Sequence, residues 1–351
     1  MKNVKALSVL PVLIALGTGG VILAFPQATL DGVRAGVELC LNVVVPSLFP
    51  FMAVSMFVSG FALPKRISAA VSAVMRFLFR LPGDAIYPII SGLAGGYPVG
   101  CAVTARLYEQ GKITREQAQR MTLFCINPGP AFAVTAVGSM MLGSIRAGVI
   151  IYASLCLSSL LVGFVLRFFA PLPCETASCA ISSVPLSGRV VEATEKAAVS
   201  ILRICAWVTL FSCFFALINE LGLGENAVAL IQCVFEVTGG CRAASDFGNI
   251  YCVTATLGWS GLCVICQVLR DVRKVGTPLV LLLSFRAVHA ALSAVVCCLL
   301  ITCCPVETSV FAPLAVYSAV EPFSASAPAA IALLGLCTVF VIDLDRNKKM
   351  C

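Results

Sequence analysis

Polar groups that could do chemistry are few in this chain, and they sit where its apolar stretches are interrupted. Glu236 opens the run Glu236-Val237-Thr238-Gly239-Gly240-Cys241-Arg242 in an otherwise apolar region. An ionisable side chain at membrane depth is functional by default, and a carboxylate there can couple a proton or cation to the movement of another ion. Arg242 is either its salt partner or a holder of a substrate carboxylate. The alternative for Glu236 is a place at the outer interface, a turn from water. A second run, residues 91–102, carries Gly95, Gly96, Tyr97, Pro98 and Gly100, a collection that a plain spanning helix has little reason to make. Glycine lets another backbone or a ligand come close, and the N-termini of broken helices present free N–H groups and a positive dipole end. Gly95, Gly96, Gly100, Gly239 and Gly240 are therefore candidates for backbone contacts to a ligand. Asn127 and Ser260 are candidate side-chain donors, and Tyr97 is placed to stack on a ring or seal the site. The spacing Gly92-x-x-x-Gly96-x-x-x-Gly100 also suits a close-packed helix face. Pro98 and basic residues on both flanks favour a hairpin.

This is the chemistry of binding and not of bond cleavage. The single histidine, His289, stands one turn from Arg286 on an apolar stretch, where it reads as packing or hydrogen-bonded structure. No HExxH or GxSxG arrangement accompanies it, so no enzyme is expected. Gly111-Lys112-Ile113-Thr114 lacks the upstream glycine and the hydroxyl residue directly after lysine that a phosphate-binding loop needs. The 19 cysteines lie mostly singly or paired within apolar runs, as small hydrophobes. Cys174 and Cys179, in the longest polar loop, have no histidine beside them, so neither metal nor cofactor is called for.

The elements that must position these groups are membrane helices. With 60% hydrophobic and 12% charged residues over 351, the chain falls outside soluble composition and lacks the alternating pattern of an outer-membrane barrel. The 24 Lys and Arg are spread over short loops, which marks topology and not nucleic-acid binding. A first span is expected at 6–25, retained and not cleaved, then a polar-faced piece at 29–39 outside the membrane. A kinked span follows Pro46 and Pro50. Residues 67–81 suit an interfacial helix, and 84–111 a re-entrant hairpin with both ends inside. Asn127-Pro128-Gly129-Pro130 breaks the next crossing. The second half repeats the order, with Glu236–Ala243 as a hairpin from the opposite face and Gly258-Trp259-Ser260-Gly261 as the second break. Glu321-Pro322 interrupts the approach to a last helix at 325–342.

The expected fold is thus an all-α polytopic membrane protein with two inverted-topology repeats, each holding a re-entrant hairpin and a broken transmembrane helix. Its parts are N-terminal spans at 1–66, a first repeat at 67–170, a polar linker at 171–198 and a second repeat at 199–351. Inversion leaves Arg34, Arg146, Arg242 and Arg286 outside or in mid-membrane and puts the other basic residues inside, whereas a parallel repeat would strand Arg270, Arg273 and Lys274 outside.

The Gly-Tyr-Pro-x-Gly core, Leu107-Tyr108-Glu109-Gln110-Gly111, Phe124-Cys125-x-Asn127-x-Gly129-Pro130 and the run from Asn42 to Phe51 together resemble the YlbJ family of sporulation integral membrane proteins. That family is placed in the nucleoside-recognition, or Gate, domain group, similar in plan to concentrative nucleoside transporters. The resemblance covers essentially the whole chain and is more specific in the first half. Glu236-x-Thr238-Gly239 looks like the family's second hairpin, and Gly258-Trp259-Ser260-Gly261 matches more loosely. It implies a protein of the mother-cell-derived outer forespore membrane that moves dipicolinic acid toward the spore. A rigid ring with two carboxylates would then meet backbone donors at the helix breaks. A nucleoside or other metabolite, and a structural role in spore assembly, are the alternatives. The expected partners are that small anion and the lipid bilayer, with no nucleic acid; oligomeric state is left open, a homo-oligomer included.

Overall fold

A computed structural model of the chain describes residues 2–58, 65–170 and 186–304. Every regular element among them is helical. In order these are α1 (Lys2–Ala24), α2 (Pro26–Leu39), a π-helical turn (Cys40–Val44), α3 (Val45–Val58), α4 (Lys65–Phe79), α5 (Ile86–Gly95), α6 (Tyr97–Glu109) and α7 (Arg115–Phe124). A π-helical segment (Ala131–Met141) follows, then α8 (Ile145–Leu166), α9 (Leu186–Asn219), α10 (Glu225–Phe235), α11 (Val237–Asp246), α12 (Ile250–Trp259), α13 (Gly261–Val275) and α14 (Leu279–Cys303).

Four stretches, Ile145–Phe169, Ser187–Asn219, Ile250–Val275 and Leu279–Cys303, are long and apolar enough to cross a bilayer, and a bent pair, Pro26–Val44 with Leu48–Phe57, makes a fifth if counted as one span. The chain is an all-α polytopic membrane protein. The bend in that pair is 55°. A proline ring displaces the carbonyl four residues before it, which for Pro46 is that of Asn42, inside the π-helical turn Cys40–Val44. The widened turn is the local accommodation of the ring.

Two pairs of helices are too short to cross. α5 has 10 residues and α6 has 13; at about 1.5 Å per residue each falls well short of the ~30 Å hydrocarbon core. They fold back on one another at Gly96, whose φ of +88° excludes most side chains. α10 and α11, of 11 and 10 residues, do the same at Glu236, which is extended at φ −136° and ψ 125°. After α7 the chain runs without regular structure through Asn127-Pro128-Gly129 before turning helical again. Between α12 and α13 it passes through Ser260 and Gly261, both left-handed at φ 72° and 76°. A left-handed serine is uncommon and costs energy, so its surroundings must hold it there.

The pieces pack through bare backbone. Gly92 of α5 lies against Gly100 of α6, and the Cys125 carbonyl sits over both, so that a side chain on either would overlap it. Gly32 and Gly36 seat α2 along Thr209–Ala216 of α9. The stretch 29–39 expected outside is therefore part of a helix laid against α9. Of the stretch 171–198 expected as a polar linker, the part from Leu186 onward is the start of α9. The expected last helix at 325–342, Glu321-Pro322, Cys174 and Cys179 lie outside the described residues.

Gly100 offers a test of this packing. Gly100→Val should cost about 1–3 kcal/mol or more through overpacking against the Cys125 carbonyl and lower the recovery and melting temperature of detergent-purified protein. Gly111, left-handed with nothing nearby, should show on Gly111→Ala only the roughly 1–2 kcal/mol of left-handed strain, without loss of insertion.

Candidate functional site

The site is best built from the end of α12, because a helix that stops inside a membrane leaves its last four carbonyls with no water to bind. Here each has a partner. Ser260 N–H donates to Thr256 O at 2.9 Å, and Tyr97 O–H, from the tip of the first hairpin, donates to Leu257 O at 2.9 Å. Arg286 of α14 donates through Nη2 to Gly258 O and through Nε to Trp259 O at 3.4 Å. Its Nη1 donates to Ile126 O, in the first helix break, at 2.6 Å. Arg286 is 0% exposed. Among the described residues no carboxylate pairs with it, and the negative ends of helix dipoles supply its counter-charge.

One turn on, His289 holds Nδ1 3.2 Å from Gly258 O and Nε2 3.1 Å from Leu155 O, so that a neutral ring donates to one of the two. Ser293 and Ser158 then join α14 to α8 by a 2.7 Å hydroxyl contact. α14 thus carries a polar stripe that clasps both breaks.

At the start of α11 the polarity reverses. Glu236 accepts from Thr238 N–H at 2.9 Å and Gly239 N–H at 2.5 Å, a carboxylate on the positive end of a helix. It is 4% exposed and borders a small cavity. Gly95, Gly96, Tyr97 and Pro98 reach that cavity from the first hairpin, and Gly129 reaches it from the first break. Thr238 and Gln267 join Glu236 as its polar side chains, while Leu48, Met52, Ile204 and Val208 form an apolar wall. The cavity volume is about 40 Å³, enough for a few waters, since a single water needs roughly 10–15 Å³ by that measure.

No family model and no solved structure matches the chain. It is similar to the sporulation integral membrane protein YlbJ of Bacillus subtilis (strain 168), 25% identical over 290 residues that make up 70% of this chain and 71% of that protein. That similarity supports a YlbJ-family assignment for the chain.

Of the residues expected at the site, Gly95, Gly96, Tyr97 and Glu236 border the cavity. Others are elsewhere. Gly100 is occupied in packing under Cys125. Asn127, 1% exposed, turns its amide N–H groups to Phe124 O and Ser159 Oγ, each at 3.0 Å, and leaves Oδ1 without a partner. Ser260 Oγ donates back to Trp259 O. The amide of Gly239 is taken by the Glu236 carboxylate, and that of Gly240 by the Glu236 carbonyl at 2.9 Å. Arg242 is not the partner of Glu236. It is exposed, since six residues along a helix turn it through about 600°, away from the capped end.

Gln267 and Thr238 were not singled out from the sequence. A glutamine six residues beyond the second break, in an otherwise apolar run, is the signal that could have found it.

Replacing Arg286 tests the clasp. Arg286→Met strands carbonyls at both breaks, each worth about 1–3 kcal/mol, and should give protein that inserts but melts far below the parent. Arg286→Lys, a point charge without the fork, should recover only part of the loss.

Proposed function

We propose that this YlbJ-family chain is a membrane transporter or facilitator of a small organic anion, with dipicolinic acid as substrate, working in the outer forespore membrane during sporulation. The observation that carries the reading is the meeting of both hairpin tips and the first helix break around one cavity inside the membrane helices. Two pieces of support come from outside that geometry. The relative's name is that of a sporulation integral membrane protein, and short helices turning at glycine and broken crossings are the recurring plan of secondary transporters. On this reading the two halves are inverted repeats with re-entrant hairpins, and one rocks against the other.

At about 40 Å³ the cavity holds too little space for a pyridine dicarboxylate, so loading requires a hairpin tip to withdraw. A substrate carboxylate can reach the amides of Thr238 and Gly239 only by displacing the Glu236 side chain that now caps them. Glu236 is in this view the coupling residue: it holds the site when substrate is absent and must be charge-compensated when substrate enters.

A second reading has its own observation. The polar side chains on the cavity are a carboxylate, the hydroxyl-bearing Thr238 and Tyr97, and an amide, with no cation among them, a set that suits a neutral heterocycle such as a nucleoside.

Proteoliposomes holding the purified chain should take up labelled dipicolinate above protein-free vesicles, with unlabelled dipicolinate competing better than nucleosides. Competition in the reverse order favours the second reading, and no uptake of either by correctly inserted protein leaves a structural role in spore assembly. Glu236→Gln should lower uptake by roughly ten- to a hundredfold, the worth of a hydrogen bond to a charged group at about 1.5–3 kcal/mol. Gln267→Leu should raise KM for substrate without lowering abundance.

A further inference from the structure

We propose that the ends of α4 and α8, together with α7, form a binding site for the phosphate of an anionic phospholipid headgroup. Three arginines gather there. Arg80 donates through Nη1 to Ala170 O at 2.7 Å, just beyond α8. Arg120 of α7 donates to Arg80 O at 2.9 Å and to Phe79 O at 3.4 Å. Arg167, in the turn that ends α8, lies over the rings of Phe77, Phe164 and Phe168 with Cζ 5.2–5.5 Å from their centroids, and its Nε is buried without a hydrogen-bond partner.

The charge is unbalanced. Among the described residues no acidic side chain is within ion-pair distance of Arg80, Arg120 or Arg167, Glu116 one turn before Arg120 included. Each guanidinium has five N–H donors, and the carbonyls here take one from Arg80 and two from Arg120. Arg80 is left-handed at φ 49° because it closes the C-terminus of α4, where Leu81 N–H donates back to Met75 O at 3.3 Å. Planar, always-charged forks with donors to spare fit a phosphate, which they hold bidentately.

Place and rim decide for a lipid over a soluble phosphate. Arg167 follows directly on a membrane-crossing helix, so the cluster lies at the bilayer surface. Around it the protein exposes Phe77, Phe168 and Phe169 at 69, 64 and 82%, with Ile67 and Val74 on the same side of α4 as Phe77. Such a rim beside a cationic centre matches the boundary between acyl chains and headgroups, where anionic lipids collect basic residues.

The test uses the full-length protein purified in detergent, with phosphatidylglycerol and phosphatidylcholine titrated separately and retained lipid counted by native mass spectrometry. Phosphatidylglycerol should be retained preferentially, and Arg80→Gln with Arg167→Gln together should weaken it by roughly thirtyfold. Arg270→Gln with Arg273→Gln should leave it unchanged. If the first double variant does not fold, Arg167→Gln alone, which breaks no hydrogen bond among the described residues, should still weaken retention by roughly fivefold. Equal retention of the two lipids, equal retention by the variants, or displacement by millimolar inorganic phosphate overturns the proposal.

Discussion

Arg286 meets the constraint on which the rest of the molecule depends. A backbone that leaves helical form at membrane depth exposes carbonyls that no solvent will bind, and each costs several kcal/mol if left alone. Two such breaks in one protein would be a liability if each needed its own remedy. One guanidinium serves both, reaching Ile126 on one side and Gly258 and Trp259 on the other. A carboxylate partner is not needed, because the carbonyls at the end of α12 are the negative pole of a helix. The same interaction fixes where the breaks lie relative to one another, and it ties down the Gly258 and Trp259 carbonyls just before the left-handed Ser260.

The two ends that face the cavity region obey opposite electrostatics. α12 finishes against a cation and α11 begins under a carboxylate, so each helix end is matched by a side chain of opposite sign within the fold. Neither charge is left to find a partner in lipid. Glycine does the remaining work of fitting irregular chain into a packed interior. Gly92 and Gly100 admit the Cys125 carbonyl between α5 and α6, and Gly96 lies beside Gly129 so that hairpin tip meets helix break with no side chain between them.

Much of this was legible in the sequence, and the reasons differ from residue to residue. Pro128, Gly129 and Pro130 announce a break because two missing N–H donors and a glycine within three residues cannot continue regular helical hydrogen bonding. Gly95-Gly96 announces a turn for the same local reason. What could not be read was partnership. Whether Glu236 pairs with Arg242 or with the amides two and three residues on depends on where the helix begins, which a shift of a single residue alters. Asn127 looked like a ligand donor because it sits in a break, yet its amide serves Phe124 and Ser159, the latter on a helix met only in three dimensions. Arg286 was visible as a lone charge on an apolar stretch, but its acceptors lie 27, 28 and 160 residues away. A carbonyl acceptor leaves no mark in sequence, since every residue has one.

The unequal strength of these ties says which part can move. The tip of the first hairpin is held to the second half by one hydrogen bond, Tyr97 to Leu257, and to α8 by another, Tyr152 to Leu93. Each is a neutral bond with a net worth of about 0.5–1.5 kcal/mol, and the rest of the hold is packing, with Gly92 and Gly100 under the Cys125 carbonyl and Val99, Cys101 and Val103 buried in the core. The breaks, by contrast, are joined through a buried charge whose removal from its carbonyls would leave both donor and acceptors unsatisfied. Parting the breaks would leave buried polar groups unsatisfied, whereas shifting the hairpin tip would break two neutral bonds and disturb apolar packing. The framework of α12, α14 and the first break is thus fixed by polar satisfaction, and the α5–α6 pair by fit.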